Sequence, residues 1–283
     1  MAYILSGINP VAFRVGSLEV RWYGIILTTA MVLGLFLLLK MSKKKDISSD
    51  DSLELFLWII PLAVVFARIL YVIANNNEYG YFPIESWDDF VNCIAIWDGG
   101  ITIYGGILGG IIGAFIWSKR KKKSLGATLD MVAPIMLLGQ SLGRWGNFFN
   151  QEAYGMPVNN PSLQTFPFAV YIDGGFGVQG GWYQATFFYE SVFNFGGAVL
   201  FYYLWKKNKV DGALVPLYLV WYCVIRLILD FLRVDGLLIT KIACAVIIPV
   251  GVVGGLLYYF RGIKKLDHDR VVLEVQQLLE EDD

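Results

Sequence analysis

The sequence predicts an all-α polytopic membrane protein of about seven transmembrane helices. Its N-terminus is expected outside, its C-terminus in the cytoplasm, with a small external cap built from residues 150–184. Three observations carry this. The 283 residues are 56% hydrophobic and only 17% charged, where soluble chains carry about 25% charged residues. Mean hydropathy is +0.55. The basic residues fall in blocks between apolar runs, and aromatic residues, of which Tyr and Trp favour membrane interfaces, make up 16% of the chain.

A bilayer core requires roughly 20 apolar residues per helix. Seven stretches meet that length: 20–39, 53–74, 94–117, 125–149, 185–205, 213–232 and 237–260. Lys40, Lys43, Lys44 and Lys45 follow the first; Lys119, Arg120, Lys121, Lys122 and Lys123 follow the third. Lys206, Lys207 and Lys209 follow the fifth, and Arg261, Lys264, Lys265 and Arg270 the seventh. Residues 75–93 and 150–184 contain no Lys or Arg. Basic loops stay cytoplasmic, so the even-numbered spans run outward. The domain reading is one transmembrane domain over 1–262, with an external arm 1–19 and external loops 75–93 and 150–184. A charged cytoplasmic tail over 263–283 completes it. The first residues show no apolar signal-peptide core, since Asn9, Pro10 and Arg14 interrupt them.

Cys93, Cys223 and Cys244 have neither disulfide-framework nor zinc spacing. The single histidine, His268, lies in the charged tail, so His-based metal sites and Ser–His–Asp chemistry within the chain are excluded. No cofactor, metal or nucleic acid is expected.

Seven basic residues are left over by topology: Arg14, Arg21, Arg68, Arg144, Arg226, Arg233 and Lys241. Arg68, Arg144 and Arg226 fall inside spans, near their outer ends. Each arginine at mid-membrane costs about 2.5–3.5 kcal/mol on insertion scales. They therefore face one another, water or a ligand, or they snorkel and pair with Asp230, Glu152 and Glu190. Arg226, Asp230 and Arg233 share one helix stripe by their spacing, as do Arg144, Asn147 and Gln151. The expected result is a cationic pocket open to the outer leaflet and suited to an anionic headgroup, because the arginine fork binds phosphate bidentately. Glycines 105, 109 and 113 recur every fourth residue, the spacing of close helix packing. Gly99-Gly100 is alternatively a break offering backbone N–H groups to phosphate. The 150–184 loop, rich in glycine, is read as a cap or lid with a β-hairpin around Asp173-Gly174-Gly175.

The run Gly143-Arg144-Trp145-Gly146-Asn147-Phe148-Phe149-Asn150-Gln151-Glu152 resembles the signature of bacterial prolipoprotein diacylglyceryl transferases. Arg21-Trp22-Tyr23-Gly24, Asp98-Gly99-Gly100-Ile101, Phe188-Tyr189-Glu190-Ser191 and the segment from Arg226 through Asp230 to Arg233 follow the same pattern in order. The resemblance implies a plasma-membrane enzyme that moves the diacylglyceryl group of phosphatidylglycerol to the lipobox cysteine of a prelipoprotein signal peptide. A thioether forms, glycerol 1-phosphate leaves, and the site faces the outer leaflet. The expected catalytic residues are Arg144 and Arg226, clamping the phosphate, and Tyr104, hydrogen-bonding the lipid or taking part in proton transfer. Tyr23, Arg68, Asn147, Glu152, Glu190, Asp230 and Arg233, with Arg144, would bind substrate. Two positions depart from the common pattern: Tyr104 stands where many members have histidine, and Asp230 where many have glutamate. A transporter or flippase of an anionic lipid or metabolite is the rival reading, but no internal repeat is visible.

Overall fold

The computed structural model describes residues 8–16, 18–45, 47–96, 99–174, 179–233 and 238–281. Asp98, Gly175 and Leu237, which the sequence reading used, lie outside the described residues. The described elements are β1 (Val11–Val15), β2 (Leu18–Arg21), α1 (Trp22–Ser42), α2 (Ser49–Ala74), α3 (Asn76–Tyr79), α4 (Trp87–Ile94) and α5 (Ile103–Arg120). They continue with α6 (Leu125–Phe149), β3 (Ala169–Ile172), β4 (Gly181–Gln184), α7 (Thr186–Lys207), α8 (Leu214–Asp230) and α9 (Leu238–Glu281). The chain divides into two compact units, residues 37–129 and the remainder.

Among the described residues, four helical stretches are long and apolar enough to cross a bilayer: Trp22–Ser42, Ser49–Ala74, Leu125–Phe149 and Lys241–Leu273. The other three expected spans are also helices, but each is shorter or more polar. α8 has 17 residues, a length of about 25 Å. α5 ends on Lys119 and Arg120, and α7 on Lys206 and Lys207 after burying Glu190 and Asn194. The third expected span was set too early. Ile94 closes the short amphipathic α4 and the long helix begins only at Ile103, because Gly99 and Gly100 both take positive φ and break the apolar run. The last helix continues through the charged segment to Glu281. The arm before α1 is a β-hairpin, with Arg14 paired to Glu19 at 2.6 Å and Arg21 3.9 Å from the same carboxylate.

In the unit of residues 37–129, α2 and α5 pack face to face along the glycine stripe. A Cβ on Gly105 would lie 2.6 Å from Ala67 Cα, on Gly109 2.6 Å from the Leu62 carbonyl carbon, and on Gly113 2.5 Å from the Trp58 carbonyl oxygen. Gly106 and Gly110 lie off this contact, at 3.9 and 3.7 Å from the nearest atoms. The helix-packing reading of Gly105, Gly109 and Gly113 is therefore the observed one. Where α2 begins and α5 ends, Lys121 Nζ meets Asp51 at 2.5 Å and Glu54 at 2.7 Å, and Trp117 Nε1 donates to the Asp51 carbonyl at 2.9 Å.

In the other unit, α6, the β3–β4 hairpin and α7 share an apolar core that includes Phe148, Val170, Ile172, Tyr183 and Phe187. Phe148 and Phe187 stack with centroids 4.7 Å apart. The strands pair antiparallel from Ala169↔Gln184 to Ile172↔Gly181, so the expected hairpin is present. At the opposite end of α6, the enclosed Asp130 carboxylate accepts from Asn208 Nδ2, Gly212 N and Leu214 N at 2.8–2.9 Å. It thereby caps the first turn of α8 with a side chain from another helix.

Gly109→Ala should destabilise the α2–α5 pair by about 1–3 kcal/mol, since backbone cannot yield to the added methyl. Gly106→Ala, one residue along, should be close to neutral. Thermal unfolding of the two variants in the same detergent checks this; equal melting temperatures would refute the packing account.

Candidate active site

The site is built where α6 ends. The helix stops at Phe149, and the chain then turns sharply, with Gln151 at φ 51° and Ala153 at φ 59°. Two non-glycine residues in the left-handed region are costly, and such strain persists where the surroundings over-determine it. Here the turn brings Glu152 back alongside α6: its N–H donates to the Asn147 carbonyl at 3.0 Å, and its carboxylate accepts from Asn147 Nδ2 at 2.8 Å. Asn147 Oδ1 in turn accepts from Arg144 Nη1 at 3.1 Å. Arg144 Nη2 lies 2.6 Å from Glu190 Oε1 on α7. The structure thus links Glu190, Arg144, Asn147 and Glu152 in one continuous chain of polar contacts.

The α6–α7 seam beneath this chain is itself hydrogen-bonded. Trp145 Nε1 donates to Ser191 Oγ at 3.1 Å, and Ser141 Oγ donates to the Ser191 carbonyl at 2.8 Å. These contacts fix the register in which Glu190 meets Arg144. Tyr23 lies on the facing side of α6: a Cβ on Gly146 would fall 2.7 Å from Tyr23 Cε2, so only glycine admits the ring. Trp22 stacks on Phe149 at 5.2 Å. Gly146 and Ser191 are positions that sequence reasoning did not assign; Gly146 sits inside the recognised run, and the helix-interior glycine was its one signal.

Arg226 Nε lies 3.0 Å from Asp230 Oδ1 on the same face of α8. Arg233 does not continue that stripe, as its spacing suggested. α8 ends at Asp230, and Arg233 instead forms a backbone bridge with Gly155, while Met156 N donates to the Leu232 carbonyl at 2.8 Å. Gln151 likewise leaves the Arg144 stripe, because α6 has already ended. It clasps Asp173, donating from Nε2 to Oδ2 at 2.6 Å and accepting from Asp173 N at 2.9 Å.

In both ion pairs the carboxylate is the buried member. Side-chain exposure is 5% for Glu190 against 20% for Arg144, and 0% for Asp230 against 18% for Arg226. Arg144 and Arg226 are therefore the more exposed members of the two pairs.

The remaining expected residues belong to the other unit. Arg68 is buried and its donors are taken by backbone. Nε donates to Cys93 O at 2.9 Å, Nη1 to Gly99 O at 2.7 Å and to Gly100 O at 2.8 Å, and Nη2 to Asn92 O at 2.6 Å. Gly99 and Gly100 thus turn carbonyls toward an arginine, opposite to the N–H cradle considered from sequence, and Gly99 N itself donates to Ile96 O. A cavity of about 260 Å³ beside Arg68 is lined by Tyr79, Tyr81, Asn92 and Asp89. Hydrogen bonds from the Ser86 hydroxyl and from the Glu85 and Ser86 N–H groups hold the Asp89 carboxyl below the usual carboxylate range, so the cavity carries an anion of its own. Tyr104, the second residue of α5, is 72% exposed.

A family model described as prolipoprotein diacylglyceryl transferase matches residues 10–261. The chain belongs to that family. It is 37% identical to a phosphatidylglycerol–prolipoprotein diacylglyceryl transferase of Clostridium botulinum (strain Langeland) over 258 residues, which is 91% of this chain and 98% of the relative. Identity is 37% to the enzyme of the same name from Bacillus velezensis, over 91% of this chain and 93% of the relative. It is 41% to that of Lactobacillus acidophilus, over 82% and 81%. Family membership and the apolar helices make this a multi-pass bacterial membrane protein. Every residue named in the site lies within the matched span.

Arg68→Lys should loosen the 92–100 segment, since an ammonium cannot reach four carbonyls in fork geometry. The expected cost is about 1.5–3 kcal/mol for the lost charge-assisted bonds, read as faster amide exchange confined to that segment. Unchanged exchange there would refute the role.

Proposed function

We propose that this protein transfers the diacylglyceryl group of phosphatidylglycerol to the lipobox cysteine thiol of prelipoproteins, acting at the outer leaflet. The observation that carries this reading is the order of burial in the two ion pairs. Glu190 and Asp230 are the more deeply buried members of the pairs, which leaves part of each arginine side chain accessible for an anionic ligand to approach. A transporter of an anionic lipid has less support, because the family to which the chain belongs is a transferase family.

In the reaction a thiolate attacks the glyceryl carbon that bears the phosphate. The thiol proton has first passed to solvent; then the S–C bond forms, the C–O bond breaks, and glycerol 1-phosphate departs with the bonding pair. Arg144 and Arg226 stabilise the charge growing on the leaving phosphate, the largest electrostatic demand of the step. Asn147 and Glu152 hold Arg144 from one side and Glu190 from the other; Asp230 orients Arg226. Tyr23 and Arg233 are proposed headgroup contacts, and Tyr104 a hydrogen-bonding group toward the substrate. Arg68 is assigned to holding the 92–100 segment rather than to phosphate. Seven spans with the N-terminus outside complete the proposal. The absence of Lys and Arg from 75–93 and 150–184 supports that orientation.

With purified protein, phosphatidylglycerol and a lipobox peptide, wild type should yield lipidated peptide. Arg144→Ala should lose about 10²–10³-fold in rate, as removal of one preorganised charge donor does, and Arg144→Lys should recover part of it. Tyr104→Phe should cost about 5- to 150-fold, the range of one positioning hydrogen bond. Normal turnover by Arg144→Ala would overturn the clamp.

Orientation is tested separately. Membrane-impermeant labelling from outside should reach a cysteine introduced at Ser162 or Glu85 and fail to reach one at Lys121. External labelling at position 121 inverts the arrangement.

A further inference from the structure

We propose that the cavity beside Arg68 binds the vicinal hydroxyl groups of a polyol, as a glycerol headgroup or a sugar ring presents them. The site lies wholly within the unit of residues 37–129 and does not depend on the functional reading above.

The polar groups around the cavity can be taken one at a time. Arg68 is only 7% exposed, and four of its five N–H groups are spent on the carbonyls of Asn92, Cys93, Gly99 and Gly100. One Nη2 proton is left over. The guanidinium lies against two rings, 5.5 Å from the centroid of Tyr71 and 5.6 Å from that of Tyr81, which fixes where that proton is offered. The Asp89 carboxylate accepts from Ser86 N and Ser86 Oγ at 2.8 Å and from Glu85 N at 3.1 Å, and all three bonds fall on Oδ2. Oδ1 accepts none among the described residues and is left for a ligand. Asn92 gives Arg68 its backbone carbonyl alone, so its side-chain amide is also unspent. Tyr79 and Tyr81, with centroids 6.0 Å apart, supply an aromatic wall.

This set of groups selects against most ligands. A sphere of about 260 Å³ is about 8 Å across, no wider than the screening length at physiological salt, so any occupant feels both charges. A cation is repelled by Arg68 and an anion by Asp89. A phosphate or carboxylate would in addition want the two-pronged contact that Arg68 has already given to carbonyls. An apolar occupant would bury Oδ1 and the last Nη2 proton without partners, at a cost of several kcal/mol. What fits is a neutral group that donates to a carboxylate oxygen and accepts from N–H within a short span. A hydroxyl does both from one atom. Two adjacent hydroxyls can engage Oδ1 with one and Arg68 or Asn92 with the other, while their C–H face rests on the electron-rich ring faces.

Amide exchange over residues 79–95, followed in the full-length protein in nanodiscs, tests this. The reference discs contain phosphatidylpropanol, which has the charge and chains of phosphatidylglycerol but no headgroup hydroxyl. Discs of phosphatidylglycerol, or methyl glucoside added to the reference discs, should slow exchange in that segment. The effect expected is about tenfold with the ligand at ten times its dissociation constant. Slowing by the lipid assigns the hydroxyls to a headgroup; slowing by the glucoside alone assigns them to a soluble sugar. Asp89→Asn keeps one oxygen for the three capping donors but turns the other acceptor into a donor. It should raise the amount of ligand required about tenfold, the low end for a hydrogen bond to a charged group. Asn92→Ala leaves the carbonyl that Arg68 uses and should raise it about fivefold. The proposal is overturned by exchange that neither polyol slows, or by slowing that survives both substitutions. Slowing by a lipobox peptide and by neither polyol would place a peptide amide in the cavity and also overturn it. Transfer activity is not part of the readout, so failure of the transferase reading would leave the result standing.

Discussion

A guanidinium placed in an apolar helix bundle must find partners for its N–H groups or cost the fold several kcal/mol, and the site follows from how that constraint is met. The chain meets it in three ways. Arg68 is satisfied by four backbone carbonyls, which disperse its charge without an anion. Arg144 is held by a carboxylate from a neighbouring helix and by an amide one turn away. Arg226 has a carboxylate of its own helix at i+4 beside it, with Nε 3.0 Å from Asp230 Oδ1 but without hydrogen-bond geometry. The first solution consumes the fork and makes a structural clasp. The other two leave the guanidinium as the more exposed partner, and so leave something to offer a ligand. Residue type alone does not separate a clasp from a clamp; the identity and burial of the partners do.

The frame around Arg144 is assembled so that this geometry cannot drift. The chain leaving α6 passes twice through left-handed conformation, and the energy that costs is offset by what the turn secures. Gln151 is locked to Asp173 at the hairpin, Gly155 sits too close to Gln184 and Thr186 for any side chain, and Met156 is tied to Leu232 beyond α8. The segment read from sequence as a cap is thus stitched at both ends to helices that carry site residues. The aromatic core under the hairpin, with Phe148 stacked on Phe187, makes α6 and α7 move together if they move at all. Glu190 and Arg144 meet across that seam at 2.6 Å.

Much of this was legible in the sequence, for identifiable reasons. The span at 125–149 coincides with α6, because apolar periodicity there runs uninterrupted to Phe149. The glycine stripe of α5 was legible because close packing has a spacing signature. The start of α5 was misplaced because hydropathy counts Ile94, Ile96 and Ile101 alike and is blind to the positive φ of Gly99 and Gly100. Two stripes were drawn too long for the same reason: spacing arguments assume a helix that continues, and both α6 and α8 stop before Gln151 and Arg233 are reached. The partners of Arg68 could not have been read at all. Backbone carbonyls carry no letter in a sequence, and an arginine that binds them looks the same as one that awaits a phosphate.

The position where histidine is common and this chain has Tyr104 bears on how much the chemistry asks of a base. A free cysteine thiol has a pKa of about 8.5. Drawing the thiolate from it at neutral pH costs about 1.5 units, or about 2 kcal/mol. That is small beside the barrier of displacing a phosphate from carbon, where charge accumulates on the leaving oxygen. Tyr104 is largely exposed, and its phenol can donate or accept a hydrogen bond. In the proposed mechanism the larger demand falls on Arg144 and Arg226, whose charge is permanent and which are the more exposed members of their ion pairs. A site arranged in this way spends its structural precision on the leaving group. It can leave the thiol proton to a modest hydrogen-bonding residue and water.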